Sequence, residues 1–138
     1  MMGRNIGAGV AGIVIAMLAV WLVQLVGHAV YTPPAGLDSQ DLDAMRAYIA
    51  TLPLGAFLFV IASYFIGTLA GTCAACAIGT MLPRVFAILI GCLMLIATAM
   101  NVAMIPHPTW FIVAAVVAIF AGAWLGMKCE RTRAGDDA

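Results

Sequence analysis

Charged side chains are scarce in this chain, and three long stretches contain none. Only 9% of the 138 residues are Asp, Glu, Lys or Arg, whereas 65% are hydrophobic and the mean hydropathy is +1.13. The uncharged stretches cover residues 5–37, 47–83 and 85–127. This composition excludes an ordinary water-soluble globular domain and is typical of a membrane protein. The formal net charge of zero gives no support to nucleic-acid binding.

The uncharged stretches predict four membrane-spanning helices. A helix crosses a bilayer core about 30 Å thick with roughly 20 apolar residues, and Pro106-His107-Pro108 divides the last stretch in two. Each span must be helical, because an unpaired backbone group in lipid costs several kcal/mol. We therefore predict an all-α integral membrane four-helix bundle that forms one domain over residues 1–138. The spans are expected at about residues 6–30, 54–80, 85–105 and 109–127.

Basic residues predict how the bundle is oriented. In a four-span chain, five of the six Lys and Arg residues fall on one side, namely Arg4, Arg84, Lys128, Arg131 and Arg133. The sixth, Arg46, shares its loop with three aspartates. The positive-inside rule therefore places both termini in the cytoplasm and the first loop outside.

A short helix is predicted in this outer loop, between the first two spans. Ser39 is the expected N-cap, because its hydroxyl can accept from a free N–H of the first turn. An apolar face at helical spacing follows, formed by Leu42, Met45, Ile49 and Leu52. The segment either lies on the outer membrane surface or runs directly into the second span with a kink at Pro53.

Small residues recur at every fourth position in the second and fourth spans. The two stripes are Ser63, Gly67, Gly71, Ala75 and Gly79, and Ala114, Ala118, Gly122 and Gly126. Such stripes let helix backbones approach closely, and close packing holds helices together in lipid. Two interpretations are open: the stripes pack within one bundle, where they could face each other, or they form a homo-oligomer interface.

Four polar side chains are predicted at similar depth in the outer half of the membrane: Gln24, His28, Asn101 and His107. Polar groups at this level turn inward and find partners, so we expect His28 to meet Asn101 or another polar group of the outer turns. The cluster predicts either a small ligand-binding pocket or a set of helix-bridging hydrogen bonds. The spans contain no acidic residue, which argues against the proton coupling of small multidrug transporters, since these depend on a Glu in the first span.

Cys73-Ala-Ala-Cys76 in the second span and Cys92 in the third lie in the predicted cytoplasmic half. We interpret them as packing residues, because Cys behaves as a small apolar side chain. Soft-metal binding by Cys73, Cys76 and Cys92 and thiol redox chemistry are alternatives. At about 100° per residue, Cys73 and Cys76 point away from Gly71, so we expect them to face lipid or a partner subunit. Cys129 has no nearby cysteine in the sequence.

Three segments support a comparison at the level of a family: His28-Ala-Val-Tyr31-Thr-Pro33-Pro34-Ala-Gly36-Leu-Asp38, Pro53-Leu-Gly55-Ala56 and Pro106-His107-Pro108-Thr-Trp110-Phe111. With the small-residue-rich first span, they resemble a family of small bacterial four-span proteins of unknown function, over nearly the whole chain. The resemblance implies no activity. The Ala- and Gly-rich composition is typical of a bacterium with a GC-rich genome, and so predicts the inner membrane.

The sequence predicts a non-enzymatic membrane protein that acts as an interaction or accessory subunit, or that binds a small molecule from the outer side. A transporter or channel for a small solute or ion is the first alternative, and thiol or soft-metal chemistry is the second. The expected partners are the lipid bilayer and either a homo-oligomer or a larger membrane complex. No cofactor is predicted, because nucleotide loops, metalloprotease motifs and nucleophile elbows are missing from the sequence.

Overall fold

The computed structural model of the chain describes residues 1–80 and 82–136, with side chains as far as residue 129. This described part forms five α-helices and contains no β-strand, which confirms the predicted all-α class. In chain order the helices are α1 Met2–Val30, α2 Leu42–Thr51, α3 Leu54–Ile78, α4 Pro83–Met104 and α5 Thr109–Asp136. The side chains of Arg131 and Arg133, which entered the orientation argument, lie outside the described residues.

The prediction of four long apolar helices is confirmed. The helices long and apolar enough to cross a membrane are α1, α3, α4 and the part of α5 over Thr109–Cys129. Large apolar side chains cover their outward faces: Trp21 is 59% exposed, Val113 60% and Phe120 62%. Faces this apolar are unfavourable in water and suit contact with lipid tails.

The central helix of the bundle is α3. Helix α1 packs along one of its faces and α5 along another, while α4 packs mainly against α5 and α3. The largest fully buried side chains come from α4 and α5, namely Phe86, Ile90, Phe111 and Ile119. The core therefore lies between these helices and α3.

The closest helix contact joins α1 to α3. A Cβ placed on Gly71 would lie 2.5 Å from the carbonyl oxygen of Gly12 and 2.7 Å from the Cβ of Ala16. Ala8, Gly12 and Ala16 thus form a third small-residue stripe, at four-residue spacing on α1, and all three are buried. The stripe of α3 that begins at Ser63 packs against this surface within the same chain.

The small residues of α5 contact a different face of α3. A Cβ on Gly122 would lie 2.7 Å from the carbonyl oxygen of Phe65, and one on Gly126 would lie 2.6 Å from the Cβ of Thr72. Hence the two predicted stripes do not face each other, because α3 uses separate faces for α1 and α5. Both contacts are internal to the chain.

Helix α2 is a separate short helix, and Asp41 rather than Ser39 caps it. Asp41 Oδ1 accepts from the backbone N–H groups of Asp43, at 3.0 Å, and Ala44, at 3.1 Å. After Thr51 the chain is extended at Leu52 and Pro53 before α3 begins. This break excludes the alternative in which α2 continues directly into the second span. Ile49 and Leu52 anchor α2 on the core.

The start of α1 and the end of α3 meet at one end of the bundle. Arg4 Nε donates to the carbonyl oxygen of Ile78 at 2.6 Å, and Asn5 Oδ1 accepts from the Thr80 N–H at 2.8 Å. Helix α4 begins a few residues after α3 ends, and the C-terminal part of α5 packs on the last turns of α3. This end of the bundle therefore collects three basic residues: Arg4, Arg84 and Lys128.

Candidate functional site

At the opposite end of the bundle, α1, α2 and α3 surround a cavity of about 100 Å³. Four of its lining side chains are polar: Gln24, His28, Tyr31 and Tyr48. The remainder of the lining is apolar and comes largely from α3. One water needs about 10–15 Å³ of such volume, so the cavity has room for a small molecule.

Two glycines let the walls of this cavity come together. Gly27 of α1 lies against Phe59, with a Cβ position only 3.1 Å from the Phe59 Cβ. Tyr31 packs edge-on against Phe59 with ring centroids 6.0 Å apart, and its hydroxyl sits where a Cβ on Gly55 would be. These contacts fix Tyr31, which follows the last residue of α1, beside the first turn of α3.

Among the described residues, only one of the four polar side chains has a hydrogen-bond partner. Gln24 Nε2 donates to Ser63 Oγ at 3.3 Å, and Ser63 in turn donates to the Val60 carbonyl oxygen at 2.6 Å. The His28 ring and the Tyr31 and Tyr48 hydroxyls make no hydrogen bond to the described residues. Phenol and imidazole groups both donate and accept, so the cavity offers several unused hydrogen-bonding groups to a small polar molecule.

Asn101 belongs to a different part of the bundle. Its Nδ2 donates to the Tyr64 hydroxyl at 3.0 Å, which joins α4 to α3. Thr98, one turn away on α4, also interacts with this hydroxyl. The Asn101 Nδ2 therefore has its partner on α3 and is not directed to the cavity.

His107 lies in the connection between α4 and α5, within an aromatic cluster. Its ring stacks on Phe111 with centroids 4.5 Å apart and meets Phe57 edge-on at 6.5 Å. Its Nδ1 lies 2.7 Å from the Ile105 carbonyl oxygen, to which the Nδ1–H tautomer donates.

The four residues predicted as a polar cluster are thus brought together only in part, since Gln24 and His28 share the cavity and Asn101 and His107 lie elsewhere. The expected contact of His28 with Asn101 is not formed, and His28, although it contributes to the cavity lining, is exposed instead of turned into the bundle. Helix α1 approaches α4 near Gly9 and Gly12, at the other end of the bundle, whereas α1 meets α2 and α3 around His28.

The cysteines are placed differently from the sequence expectation. Cys73 forms a disulfide with Cys129 of α5, with their Cα atoms 5.8 Å apart, and Cys76 is buried, with its Sγ 3.8 Å from the Pro83 carbonyl oxygen. Neither faces lipid or a partner subunit, because α4 and α5 cover this side of α3. Cys92 is exposed on α4. The described residues contain no group of three potential metal ligands, so Cys73, Cys76 and Cys92 are not gathered into a site.

Three tyrosines matter more than the sequence indicated. Tyr31 and Tyr48 line the cavity, and Tyr64 is the partner of Asn101. The role of Tyr64 could be predicted from the sequence, because a hydroxyl in the middle of an apolar span needs a hydrogen-bond partner. The roles of Tyr31 and Tyr48 could not be predicted from the sequence, since aromatic residues near the ends of spans are common as interface anchors.

Comparison of the chain with protein-family models, with characterised proteins and with solved structures finds no match. The resemblance to small bacterial four-span proteins therefore stays a prediction.

Proposed function

We propose that this chain is a non-enzymatic multi-pass membrane protein whose cavity between α1, α2 and α3 binds a small polar molecule. One observation carries the proposal: Gln24, His28, Tyr31 and Tyr48 line a common cavity, and three of them make no hydrogen bond to the described residues. His28 is exposed and Tyr31 and Tyr48 are half-buried, so their polar groups are accessible to a ligand. A ligand that satisfies them gains specificity from the same groups.

The proposed location is a bacterial inner membrane, with both termini in the cytoplasm and the cavity on the outer side. Support comes from Arg4, Arg84 and Lys128, which collect at the end of the bundle away from the cavity. Cytoplasmic ends of membrane proteins are enriched in Lys and Arg. Helix α2, with Tyr48 and Leu52 on the cavity wall, then lies on the outer face and covers the site.

A transporter is a weaker proposal on this geometry. Asn101 pairs with Tyr64, and Gln24 pairs with Ser63, inside the bundle. These pairs join neighbouring helices, as structural hydrogen bonds do, instead of lining a shared path.

The cavity proposal is tested by a thermal-stability screen of the purified protein against small polar compounds. A ligand present at 100 times its dissociation constant stabilises the folded state by about 2.7 kcal/mol. We expect compounds that raise the melting temperature of the parent, with smaller shifts for His28→Ala and Tyr48→Phe. These variants should fold normally, because neither polar group bonds to the described protein.

Tyr64→Phe is the matched control for the loss of a phenol hydroxyl. It removes the bond to Asn101, so it should lower the baseline stability but leave the ligand-induced shift intact. Equal shifts in the parent, His28→Ala and Tyr48→Phe would place the binding elsewhere and refute the proposal.

The Cys73–Cys129 disulfide favours a second candidate function, a thiol switch at the inner end. Disulfides are rare in the reducing cytosol, where those that form are transient or redox-sensing. Reaction with a small disulfide would join Cys73 to Cys129 and release two small thiols, linking α3 to α5. Alkylation trapping in cells should show oxidation of Cys73 that is lost in Cys129→Ser and kept in Cys92→Ser. Oxidation of Cys73 that persists in Cys129→Ser would exclude this pair as the switch.

A further inference from the structure

A groove of about 370 Å³ runs along the outside of the bundle between α4 and α5. Small or fully buried residues form its floor, namely Ala87, Gly91, Ile119 and Ala123. Its walls are large and exposed: Ile88 is 66% exposed, Phe120 62% and Trp124 53%. A narrow apolar channel with tall walls fits a linear hydrocarbon chain.

The groove has the length of one membrane leaflet. Its lining extends along α4 from Arg84 to Leu95, which is about 16 Å at 1.5 Å per residue. Half of a bilayer core about 30 Å thick has nearly the same depth. The groove therefore begins at the inner end of the bundle and stops near the middle of the membrane.

Positive charge marks the inner end of the groove. Arg84 lines both the groove and an adjoining cavity of about 350 Å³ that also contacts Lys128. Arg84 makes no hydrogen bond or ion pair with the described residues. The ammonium of Lys128 lies 3.5 Å from the centre of the Trp124 ring, a cation–π contact that holds it at the groove end.

The first turn of α4 adds to the positive electrostatic potential at this end of the groove. Arg84 is the second residue of α4, and this turn has neither a side-chain cap nor an acidic residue. Pro83 has no N–H and the Val85 N–H donates to the Leu82 carbonyl oxygen at 2.9 Å. The Arg84 N–H and the positive end of the helix dipole therefore favour an anion here. An apolar groove one leaflet long, ending at two cations and an uncapped helix start, matches the two parts of an anionic phospholipid.

We propose that the α4–α5 groove binds one acyl chain of an anionic glycerophospholipid from the inner leaflet, with the lipid phosphate at Arg84 and Lys128. Basic pockets between spans on the cytoplasmic side are suited to anionic head groups. A second copy of the chain fits less well. A two-fold dimer in a membrane brings equivalent ends together, so Arg84 and Lys128 would meet their own copies as like charges.

Native mass spectrometry of the purified protein tests this site, with palmitoyl-oleoyl phosphatidylglycerol and the matching phosphatidylcholine as probes. We expect one phosphatidylglycerol retained per chain in preference to phosphatidylcholine. Each surface cation contributes about 1 kcal/mol to anionic-lipid binding. In the Arg84→Gln/Lys128→Gln variant, the preference for phosphatidylglycerol over phosphatidylcholine should therefore be about 30-fold lower than in the parent.

Two further variants separate head-group binding from chain binding. Arg4→Gln removes a cation at the same end of the bundle but outside the groove, and should keep the parental preference. Gly91→Leu places a side chain in the groove, where a Cβ meets only Ala123 at 3.7 Å, and should reduce retention of both lipids. Equal retention of the two lipids by the parent, an unchanged preference in the double variant, or a lipid-free dimer that buries the groove would overturn the proposal.

Discussion

Gly71→Ala should destabilise the bundle, because the α1–α3 contact leaves no room for a methyl group. The new Cβ would lie 2.5 Å from the Gly12 carbonyl oxygen and 2.7 Å from the Ala16 Cβ. Ordinary contacts between carbon atoms need about 3.5–4.0 Å. The obstructing atoms are backbone and a Cβ, which cannot rotate away, so α1 and α3 must separate along their interface.

The free energy of this destabilisation is measured against the same substitution at a buried glycine that has room for a methyl group. Forcing extra atoms into a packed interior costs about 1–3 kcal/mol, while Ala is favoured over Gly in a helix by up to about 1 kcal/mol. Gly91→Ala is the matched control, since its Cβ would meet only the Ala123 Cβ at 3.7 Å. The helix-propensity gain cancels between the two variants, so Gly71→Ala should be about 1–3 kcal/mol less stable than Gly91→Ala.

Equilibrium unfolding of both variants by SDS in mixed micelles measures this difference. Each 1.4 kcal/mol changes the unfolding equilibrium about tenfold. Gel filtration run alongside reports the oligomeric state. Equal stability of Gly71→Ala and Gly91→Ala would refute the packing argument, as would an oligomer that dissociates in Gly71→Ala while the subunit keeps its stability.

Two smaller effects are expected elsewhere in the chain. Asn101→Leu removes the bond to Tyr64 and should cost about 0.6 kcal/mol, the average for an inter-helix hydrogen bond in a membrane; a change of several kcal/mol in the same unfolding assay would show that the pair does more than bridge two helices. Asp41→Ala removes the N-cap of α2 and should cost about 1 kcal/mol. Hydrogen exchange should speed up in α2 and stay unchanged in α3, whereas uniform protection across α2 would contradict the role of Asp41 as cap.

The scarcity of charge was enough to predict the four long helices, because the membrane requires both apolar side chains and a helical backbone. The exact end residues of the helices were harder to predict. Helix α5 continues to Asp136, beyond the span predicted to end at residue 127, because hydropathy reports the part suited to lipid and a helix can extend past it. The cap of α2 was misplaced by two residues, since Ser39 and Asp41 are both good caps by residue type.

Periodicity identified which residues pack but not which helix they pack against. The stripe through Gly71 was correctly read as a contact surface, yet its partner is α1 and not α5. Helical rotation predicts a lipid-facing Cys73 only if α3 has one packed face, whereas α3 packs against α1, α4 and α5 on several faces. Which helices are neighbours depends on the arrangement of the whole chain, and spacing within one helix carries no information on it.

The candidate site was predictable only where its residues share a helix. Gln24 and His28 are one turn apart on α1, so their common location followed from helical geometry. Tyr48 reaches the same cavity from α2, through a loop whose path cannot be read from residue spacing. Asn101 was grouped with His28 by depth alone, and depth does not determine the direction in which a side chain points around the bundle.

The orientation of the chain underlies both binding proposals, because one site is assigned to the outer side and the other to the inner leaflet. Single cysteines at Ser39 and at Gly3, both exposed, report the two ends in a background in which the native cysteines are replaced by Ser. The reagent is a membrane-impermeant maleimide, applied to cells whose outer membrane is permeabilised and whose inner membrane is intact. It should label Ser39→Cys in these cells, and should label Gly3→Cys only after the inner membrane is opened. Labelling of Gly3→Cys in intact cells, with or without Ser39→Cys, would contradict the account.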